Sequence, residues 1–343
     1  MRLIIMWIFN FGILESFALF LVAVNVLTFA LYVVDKKRAK KGAWRINEKT
    51  LLFFTVMFGG FAAFAAMYLV RHKTRKRAFI VAMSFGMAVS AVSVVHIVHS
   101  LTFARVVRYV ELEFTAANWP TELNGYRIAF MTDFHTITPE RISAAITELN
   151  GKNIDLLLLG GDFSMRDAHY QGVLAAISQA TTTDGIFGVE GNHDDYIRLF
   201  AAKRENGIIP LDNSGVQIRQ NFFLAGVHDM WNRTPNIQQA IQNANSSDFV
   251  LLISHNPDLT MVQPTNAVDL ILSGHTHGGQ ITFFGFPFYL WRGSITAYGT
   301  RFAYGFANSA DGTPVFTSSG IGDYYGIPRV FTRPEVVIFN MFG

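Results

Sequence analysis

Residues 154–162 read IDLLLLGGD, an apolar run that ends in two glycines and an aspartate. A short apolar run bounded by turn residues predicts a buried β-strand, here over residues 154–159. Runs of the same kind occur at 128–131, 186–189, 222–227, 250–253, 270–272, 315–317 and 336–339. Helical patterns lie between several of them, at 139–149, 167–179 and 195–203. This alternation predicts an α/β domain.

Polar motifs directly follow five of the predicted strands. In α/β sheets the functional residues gather in loops beyond the carboxyl ends of the strands, so these motifs are expected to meet. They are Asp133-Phe134-His135, Gly160-Gly161-Asp162, Gly191-Asn192-His193-Asp194, Ser254-His255-Asn256-Pro257 and the stretch SGHTHGGQ at 273–280. In extended backbone, residues two apart point to the same side. The Asp133 carboxylate and the His135 imidazole can therefore face one metal ion, and His275 and His277 have the same spacing.

The chain contains no cysteine, which excludes disulfides, zinc–thiolate sites and a cysteine nucleophile. His, Asp, Glu and Asn remain as possible metal ligands. A single His or Asp at a strand end is more often a cap, a turn residue or a hydrogen-bonded polar group. Because acid, imidazole and amide groups recur at five strand ends, the combination favours a metal centre.

The order D-x-H, G-D, G-N-H-D, H and G-H-x-H resembles that of the calcineurin-like metallophosphoesterases over about residues 127–339. The similarity is greatest to the branch of transmembrane proteins with a metallophosphoesterase domain. It implies two packed mixed β-sheets flanked by helices, and a site for two divalent ions, with manganese, iron and zinc all left open. It also implies a ligand set: Asp133, His135 and His277 for one ion, Asn192, His255 and His275 for the other, and Asp162 bridging both.

His193 is not needed as a ligand in this arrangement. It is the candidate to contact the phosphate and to protonate the leaving oxygen, with the Asp194 carboxylate holding its ring. The alternative interpretation is a structural histidine at a strand end.

Apolar runs long enough to span a bilayer occur only before about residue 104. Residues 16–34, 51–70 and 79–104 are each near the roughly 20 residues that a spanning helix needs, which predicts three spans. The expected organisation is a transmembrane helical domain at 1–104, a linker at 105–126 and a catalytic domain at 127–343. The protein is expected to be a multi-pass protein of a bacterial cell membrane.

Charge divides at the same boundary. Residues 1–104 contain 13 Lys/Arg against 3 Asp/Glu, and the remainder contains 15 against 22. The loops 35–49 and 71–77 are both strongly basic, which favours the cytoplasm for each. Three full spans would place one of them outside. Either the positive-inside rule is broken here, which puts the catalytic domain inside, or the segment at Gly59-Gly60 enters the membrane and returns to the same side. The second case puts the catalytic domain outside.

The membrane segment also resembles a small family of uncharacterised bacterial membrane proteins. The shared residues are Asn25, Tyr32, Asp35-Lys36, residues 44–48, Gly59-Gly60 and residues 71–74. This resemblance implies no known chemistry. The basic loops are interpreted as topogenic charge, with binding of anionic lipid headgroups as the alternative.

Residues 281–306 combine many aromatic side chains with Arg292 and Arg301. Two interpretations stand: an apolar groove for acyl chains with arginines pairing phosphates, or a pair of core strands with solvated arginines. Resemblance to lipid-acting members of the branch, including those that cleave a UDP-linked diacylated glucosamine, implies a lipid or lipid-linked phosphodiester or pyrophosphate as the substrate.

Two alternative functions remain. A nuclease or soluble-nucleotide phosphodiesterase is disfavoured by the acidic catalytic half, so no nucleic-acid partner is expected. A non-catalytic metal-binding scaffold would be expected to have lost ligands, and the motifs keep all of them.

Overall fold

The computed structural model describes residues 13–163, 167–195, 204–283, 285–287 and 295–343. Two compact units divide the chain, Met1–Thr102 and Phe103–Gly343. Residues 196–203, most of the predicted helix at 195–203, lie outside the described residues.

Residues 13–102 of the first unit form four helices: α1 (Ile13–Lys40), α2 (Glu48–Val56), α3 (Gly60–Leu69) and α4 (Arg77–Leu101). The helical segments Glu15–Lys40 and Arg77–Arg105 are each long and apolar enough to cross a membrane. Large apolar side chains along both are exposed, for example Val26 at 65% and Val81 at 68%. Such exposure is expected of a lipid-facing surface and not of a helix in a soluble core.

The single span predicted at 51–70 is instead the pair of short helices α2 and α3. Helix α2 ends at Val56 and α3 begins at Gly60. Phe58 between them has a positive φ of 68°, which a continuous right-handed helix does not allow. Hydropathy alone could not separate these two arrangements, because both are equally apolar.

Among its described residues, the second unit includes the following strands and α-helices. In chain order they are β1 (Arg108–Thr115), β2 (Tyr126–Met131), α5 (Pro139–Asn150), β3 (Leu156–Leu159), α6 (Asp167–Ile177), β4 (Ile186–Gly188), β5 (Ile208–Pro210), β6 (Ser214–Arg219), β7 (Phe222–Gly226), α7 (Ile237–Ala240), β8 (Phe249–Ile253), β9 (Leu270–Ser273), β10 (Gly305–Asn308), β11 (Pro314–Thr317) and β12 (Glu335–Phe342).

These strands form two six-stranded mixed sheets, in the orders β1-β12-β2-β3-β4-β5 and β10-β11-β9-β8-β7-β6. Strands β2 to β5 run parallel, and so do β7, β8, β9 and β11. Antiparallel pairs join β12 to β2, β6 to β7 and β10 to β11. The predicted architecture of two mixed sheets flanked by helices is confirmed.

Strand β3 shows how the core is divided. Leu156 and Leu158 contribute to the apolar cluster shared by the two sheets, whereas Leu157 and Leu159 contribute to the cluster that contains α5 and α6 side chains. All four leucines are fully buried. Because helices cover one face and the second sheet covers the other, this strand is apolar at every position, which is why its sequence identified it.

Each of the eight predicted strands overlaps an observed one, but four strands were not predicted. Strands β1, β5, β6 and β10 lie at sheet edges, where side chains alternate between exposed and covered positions or the strand is very short. Strand β1 lies inside the predicted linker at 105–126 and pairs in parallel with β12 along eight residues, from Arg108 to Thr115.

Candidate metal centre

The five polar motifs meet at one edge of the two sheets. Asp133 and His135 follow β2, Asp162 follows β3, and Asn192 and His193 lie just beyond β4. From the second sheet, His255 follows β8, and His275 and His277 follow β9. Strands β2, β3 and β4 run parallel to one another, and so do β8 and β9, so the carboxyl ends of the ligand-bearing strands lie together as expected.

The backbone that presents the ligands is turned and not extended. Asp133, His135, Asp162, His275 and His277 have φ values of 57°, 41°, 57°, 71° and 54°. Positive φ is unusual for residues with side chains and concentrates at functional sites, where the surrounding structure holds it. The expectation that Asp133 and His135 share a side through extended backbone is therefore wrong, although both side chains do reach one place.

A first group of ligand atoms surrounds one point. Nε2 of His135 lies 2.9 Å from Nε2 of His277, and the latter lies 3.5 Å from Oδ1 of Asp133. These three residues are buried, and their ligand atoms lie within 4.8 Å of one another. Two imidazole nitrogens at this separation fit a shared cation, since ligands held at about 2.0–2.2 Å from a metal lie about 3 Å apart.

A second group lies beside the first. Oδ1 of Asn192 lies 2.8 Å from Nδ1 of His275 and 3.1 Å from Nε2 of His255. Oδ2 of Asp162 stands between the groups, 3.2 Å from Nε2 of His135 and 3.2 Å from Nε2 of His255. One carboxylate oxygen is thus positioned to bridge two ions, and the donor set fits a pair of divalent metals.

Hydrogen bonds select which nitrogen of two histidines faces this site. Nδ1 of His255 lies 2.7 Å from the carbonyl oxygen of Gly160, and Nε2 of His275 lies 3.1 Å from that of Ile295. A carbonyl only accepts, so each of these nitrogens carries the proton. The other nitrogen of each ring faces the site, where it would offer its lone pair to a bound metal, as metal-binding histidines require.

The charges also suit cations. Burial raises the pKa of Asp133 to about 6 and lowers the pKa of His135 to about 4 and that of His275 to about 3. Burial alone would raise the pKa of Asp162, but the imidazoles of His255 and His135 hold it well below its usual range. Conversely, burial acts to lower the pKa of His255, and the Asp162 carboxylate raises it well above normal. The raised pKa means that His255 can carry a second proton beside the Asp162 carboxylate. A bound cation would take the place of that proton.

Asp194 joins two of the ligand loops through hydrogen bonds to backbone amides. Its Oδ2 accepts from the backbone N–H groups of Asp162 and Gly191, and its Oδ1 accepts from that of Phe163, each at 2.8 Å. Asp194 thus ties the loop after β3 to the loop after β4. These bonds position Asp162 through backbone amides. That the Asp194 carboxylate also holds the His193 ring stays a prediction.

His193 reaches the site from the same loop. Its backbone N–H donates to Oδ1 of Asp162 at 2.8 Å, which leaves Oδ2 directed at the two histidines. Its half-buried ring lies edge-on to that of His135, with 5.3 Å between centroids, and lines the cavity. The ring is therefore open to the cavity, and its contact with a phosphate stays a prediction.

Glycine is required where two loops cross at the site. A Cβ on Gly274 would lie 2.2 Å from Oγ1 of Thr132 and 2.4 Å from Oδ2 of Asp133. The G-H-x-H motif therefore begins with glycine because its backbone lies directly against the first ligand loop.

Two residues that bond the loops around the site, Arg329 and Gln280, were not predicted from the sequence. Arg329 is fully buried and donates from Nε to the carbonyl of Gly322 at 3.0 Å and from Nη1 to that of His277 at 3.3 Å. Gln280 accepts from the N–H of Tyr324 at 2.9 Å. No periodicity in the sequence indicates a buried arginine, and Gln280 stands out only as the last residue of the motif at 273–280.

A cavity of about 490 Å³ opens above the ligands. One wall consists of metal-site residues and His193, and the remainder is mostly apolar: Trp231, Ile281, Ile295, Tyr324 and Ile327. The Trp231 ring stands perpendicular to that of His275, with centroids 4.6 Å apart, and Tyr324 lies edge-on to His135 at 5.4 Å. The cavity therefore combines a charged floor with aromatic and aliphatic sides.

The aromatic segment at 281–306 matches neither interpretation fully. Phe284 and residues 288–294, which include Arg292, lie outside the described residues. In the described part, Phe283 and Phe286 are more than half exposed and form an antiparallel bridge with each other, and Phe302 is fully buried. Arg301 donates to the carbonyl of Asn308 and lies over the Phe302 ring.

The family description "Calcineurin-like phosphoesterase" matches residues 126–279, and the family of unknown function DUF1294 matches residues 25–79. A metallophosphoesterase of Helicobacter pylori, named uncharacterized, is 30% identical over 234 residues, covering 62% of this chain and 58% of the relative. The chain thus spans less than two thirds of that relative's length.

Two further relatives differ in how much of the chain they share. The zebrafish (Danio rerio) "Transmembrane protein with metallophosphoesterase domain" is 26% identical over 314 residues, covering 83% of this chain and 69% of the relative. "Phosphodiesterase YaeI" of Escherichia coli is 30% identical over 235 residues, covering 63% of this chain and 82% of the relative. Since the sheets, the convergent ligands and these similarities agree, the chain belongs to the calcineurin-like metallophosphoesterases.

Proposed function

We propose that this chain is a membrane-anchored, two-metal phosphoesterase that hydrolyses phosphodiester or pyrophosphate bonds. The observation that carries the proposal is the position of Asp162 Oδ2, 3.2 Å from a histidine of each ligand group. A bridging carboxylate between two imidazole-rich groups is the arrangement that a binuclear hydrolase needs.

Asp133, His135 and His277 would hold one ion, Asn192, His255 and His275 the other, and Asp162 would bridge them. Bound there, two divalent ions supply neutralisation of the phosphoryl charge and a lowered pKa for a water between them. Imidazole mixed with carboxylate and amide oxygen suits manganese, iron or zinc. The positive-φ turns and the buried Arg329 keep the ligands preorganised.

His193 would act on the leaving group. Its ring is next to the first ligand group but belongs to neither group, and it lines the cavity in which a phosphate would lie. An imidazole in this position can contact a phosphoryl oxygen and donate a proton to the departing oxygen. The hydrogen bond from its backbone N–H to Oδ1 of Asp162 holds its loop against the carboxylate that would bridge the ions.

The substrate proposed is a membrane lipid or a lipid-linked phosphodiester or pyrophosphate, such as a UDP-diacylglucosamine-like molecule. The apolar sides of the cavity support this, because Trp231, Ile281 and Ile327 give acyl or isoprenoid chains a surface directly beside the phosphate position. Exposed Phe283 and Phe286 extend the apolar character near Ile281. The apolar helices of the first unit support anchoring in a bilayer.

The alternatives have less support. A nuclease needs a basic track for phosphates, whereas the residues after 104 contain 15 Lys/Arg against 22 Asp/Glu. A scaffold without activity gives no reason for keeping a full ligand set together with His193.

Removal of the bridging carboxylate tests the metal site. Asp162→Asn should lower hydrolysis of bis(p-nitrophenyl) phosphate with added manganese by more than about a hundredfold, since changes even outside the ligand shell cost about 10–100-fold. Asp311→Asn is the matched control. Asp311 is exposed, and its described side-chain hydrogen bonds are to Thr265 and not to a ligand residue. Equal rates in both variants would contradict the proposed site.

Replacement of His193 tests its role as an acid. His193→Gln should lower kcat by about 10²–10⁴-fold for a phosphodiester with an alkoxide leaving group. The loss should be much smaller for bis(p-nitrophenyl) phosphate, because nitrophenolate departs without a proton. Metal content should be unchanged in the variant. A loss of the same size for both substrates would show that His193 serves binding or structure and not proton donation.

A polar change in the cavity wall tests the lipid preference. Ile281→Asn should lower kcat/KM for a long-chain phospholipid diester about tenfold more than for its water-soluble, short-chain counterpart, because burial of chain methylenes is lost. Ile209→Asn is the control, since Ile209 is similarly exposed but lies on β5 outside the cavity. An identical loss on both substrates would indicate that the wall does not contact acyl chains.

A further inference from the structure

The two ends of the α2–α3 segment meet at the same end of α1. Asp35 is fully buried, and its carboxylate accepts from Nη2 of Arg45 at 2.9 Å and from the N–H of Ile46 at 3.0 Å, both just before α2. The same carboxylate bonds Nε2 of His72 at 2.7 Å, just after α3. Lys36 donates to the carbonyl of Arg71 at 2.9 Å.

A second ion pair closes the same junction. Oε1 of Glu48, the first residue of α2, lies 2.5 Å from Nζ of Lys73 and 2.6 Å from Nζ of Lys76. The loop before α2 and the loop after α3 are therefore joined through Asp35 and Glu48. A third crossing helix would instead separate these loops by the full thickness of a bilayer, about 30 Å of hydrocarbon.

The connection between α2 and α3 lies near the middle of the long helices. The carbonyl of Phe58 accepts from Nδ2 of Asn25 in α1 and from Oγ of Ser90 in α4, both at 2.9 Å. Oδ1 of Asn25 accepts from the N–H of Ala62 at 3.1 Å. Helix α2 has nine residues and is about 14 Å long at 1.5 Å per residue, so it reaches only about halfway.

These contacts satisfy what a membrane demands of non-helical backbone. Within hydrocarbon, such backbone is tolerated only where its polar groups are bonded inside the protein, and the Phe58 carbonyl has two donors. Gly60 lies against the backbone of Gly86 in α4 so closely that a Cβ would lie 2.0 Å from the Gly86 carbonyl carbon. The tip is therefore seated between the two long helices.

We infer that α2 and α3 form a re-entrant hairpin, so that residues 13–102 cross the membrane twice and the chain after α4 begins on the non-cytoplasmic side. The basic loops 35–49 and 71–77 then lie on one side, and their charge assigns that side to the cytoplasm. Among the described residues, the only crossing after the second loop is α4. The phosphoesterase domain would thus act on substrates exposed outside the cytoplasm, for a lipid the outer leaflet.

Single cysteines can test this without background labelling, because the chain has no cysteine. The full chain would be produced with Ala43→Cys, Arg75→Cys or Gln220→Cys, three exposed positions in the first basic loop, the second basic loop and the phosphoesterase domain. Intact spheroplasts and permeabilised membranes would be treated with a membrane-impermeant maleimide. We expect Gln220→Cys to react in spheroplasts, and the other two only after permeabilisation.

Other labelling patterns would overturn the inference. Reaction of Arg75→Cys alone in spheroplasts would indicate three crossings and a cytoplasmic domain, and protection of all three positions would place both loops and the domain in the cytoplasm. The readout is independent of hydrolysis, so it stands or fails separately from the proposed function.

A cross-link tests the hairpin itself. In Glu48→Cys/Lys73→Cys, a bismaleimide with a short spacer should cross-link the two cysteines, since the native side chains meet and the spacer replaces their length. Phe58→Cys/Lys73→Cys, which pairs the tip of the hairpin with the loop after α3, should not be cross-linked by the same reagent. Absence of the first cross-link in membrane-inserted protein, or efficient formation of the second, would contradict the hairpin.

Discussion

The proposed function depends on the position of one carboxylate oxygen, Oδ2 of Asp162. Oδ2 of Asp162 faces imidazole nitrogens from both sheets, and Oδ1 is held by the backbone of His193. A buried carboxylate and a cluster of buried imidazoles are unfavourable unless cations or protons balance them. Left-handed turns and backbone amides bonded to Asp194 nevertheless hold those groups together. A site for cations explains why the fold keeps so unfavourable a cluster.

The two sheets make this arrangement possible because each contributes its own parallel strands. Asp133, His135 and Asp162 come from the first sheet, and His255, His275 and His277 from the second. The apolar layer between the sheets fixes their relative position, so the ligand loops meet at a seam without having to fold independently. Arg329 and Gln280 then support the seam from the side of the chain's final loop. The apolar cavity walls lie above it, which is where substrate selection would occur.

Much of the fold could be predicted from the sequence, for physical reasons that also explain the failures. Strands covered on both faces, such as β3, have continuous apolar sequences and were identified. Edge strands such as β1 have a solvent-facing side, so their polar residues resembled a linker. The site residues were identified through repeated polar motifs at strand ends. Their backbone conformation was not, because turns with positive φ at Asp133 and His277 depend on tertiary contacts. The sequence left the hairpin of α2 and α3 open beside three full spans, because hydropathy reports how apolar a segment is and not the direction in which the chain runs.

The central claim is that one buried site holds two metal ions on either side of Asp162. The most direct test is a crystal structure of the manganese-loaded protein, with anomalous diffraction data collected near the manganese absorption edge. The account predicts two anomalous peaks roughly 3.5–4 Å apart, both within bonding distance of Asp162 Oδ2. A single peak, or peaks remote from Asp162, would contradict it.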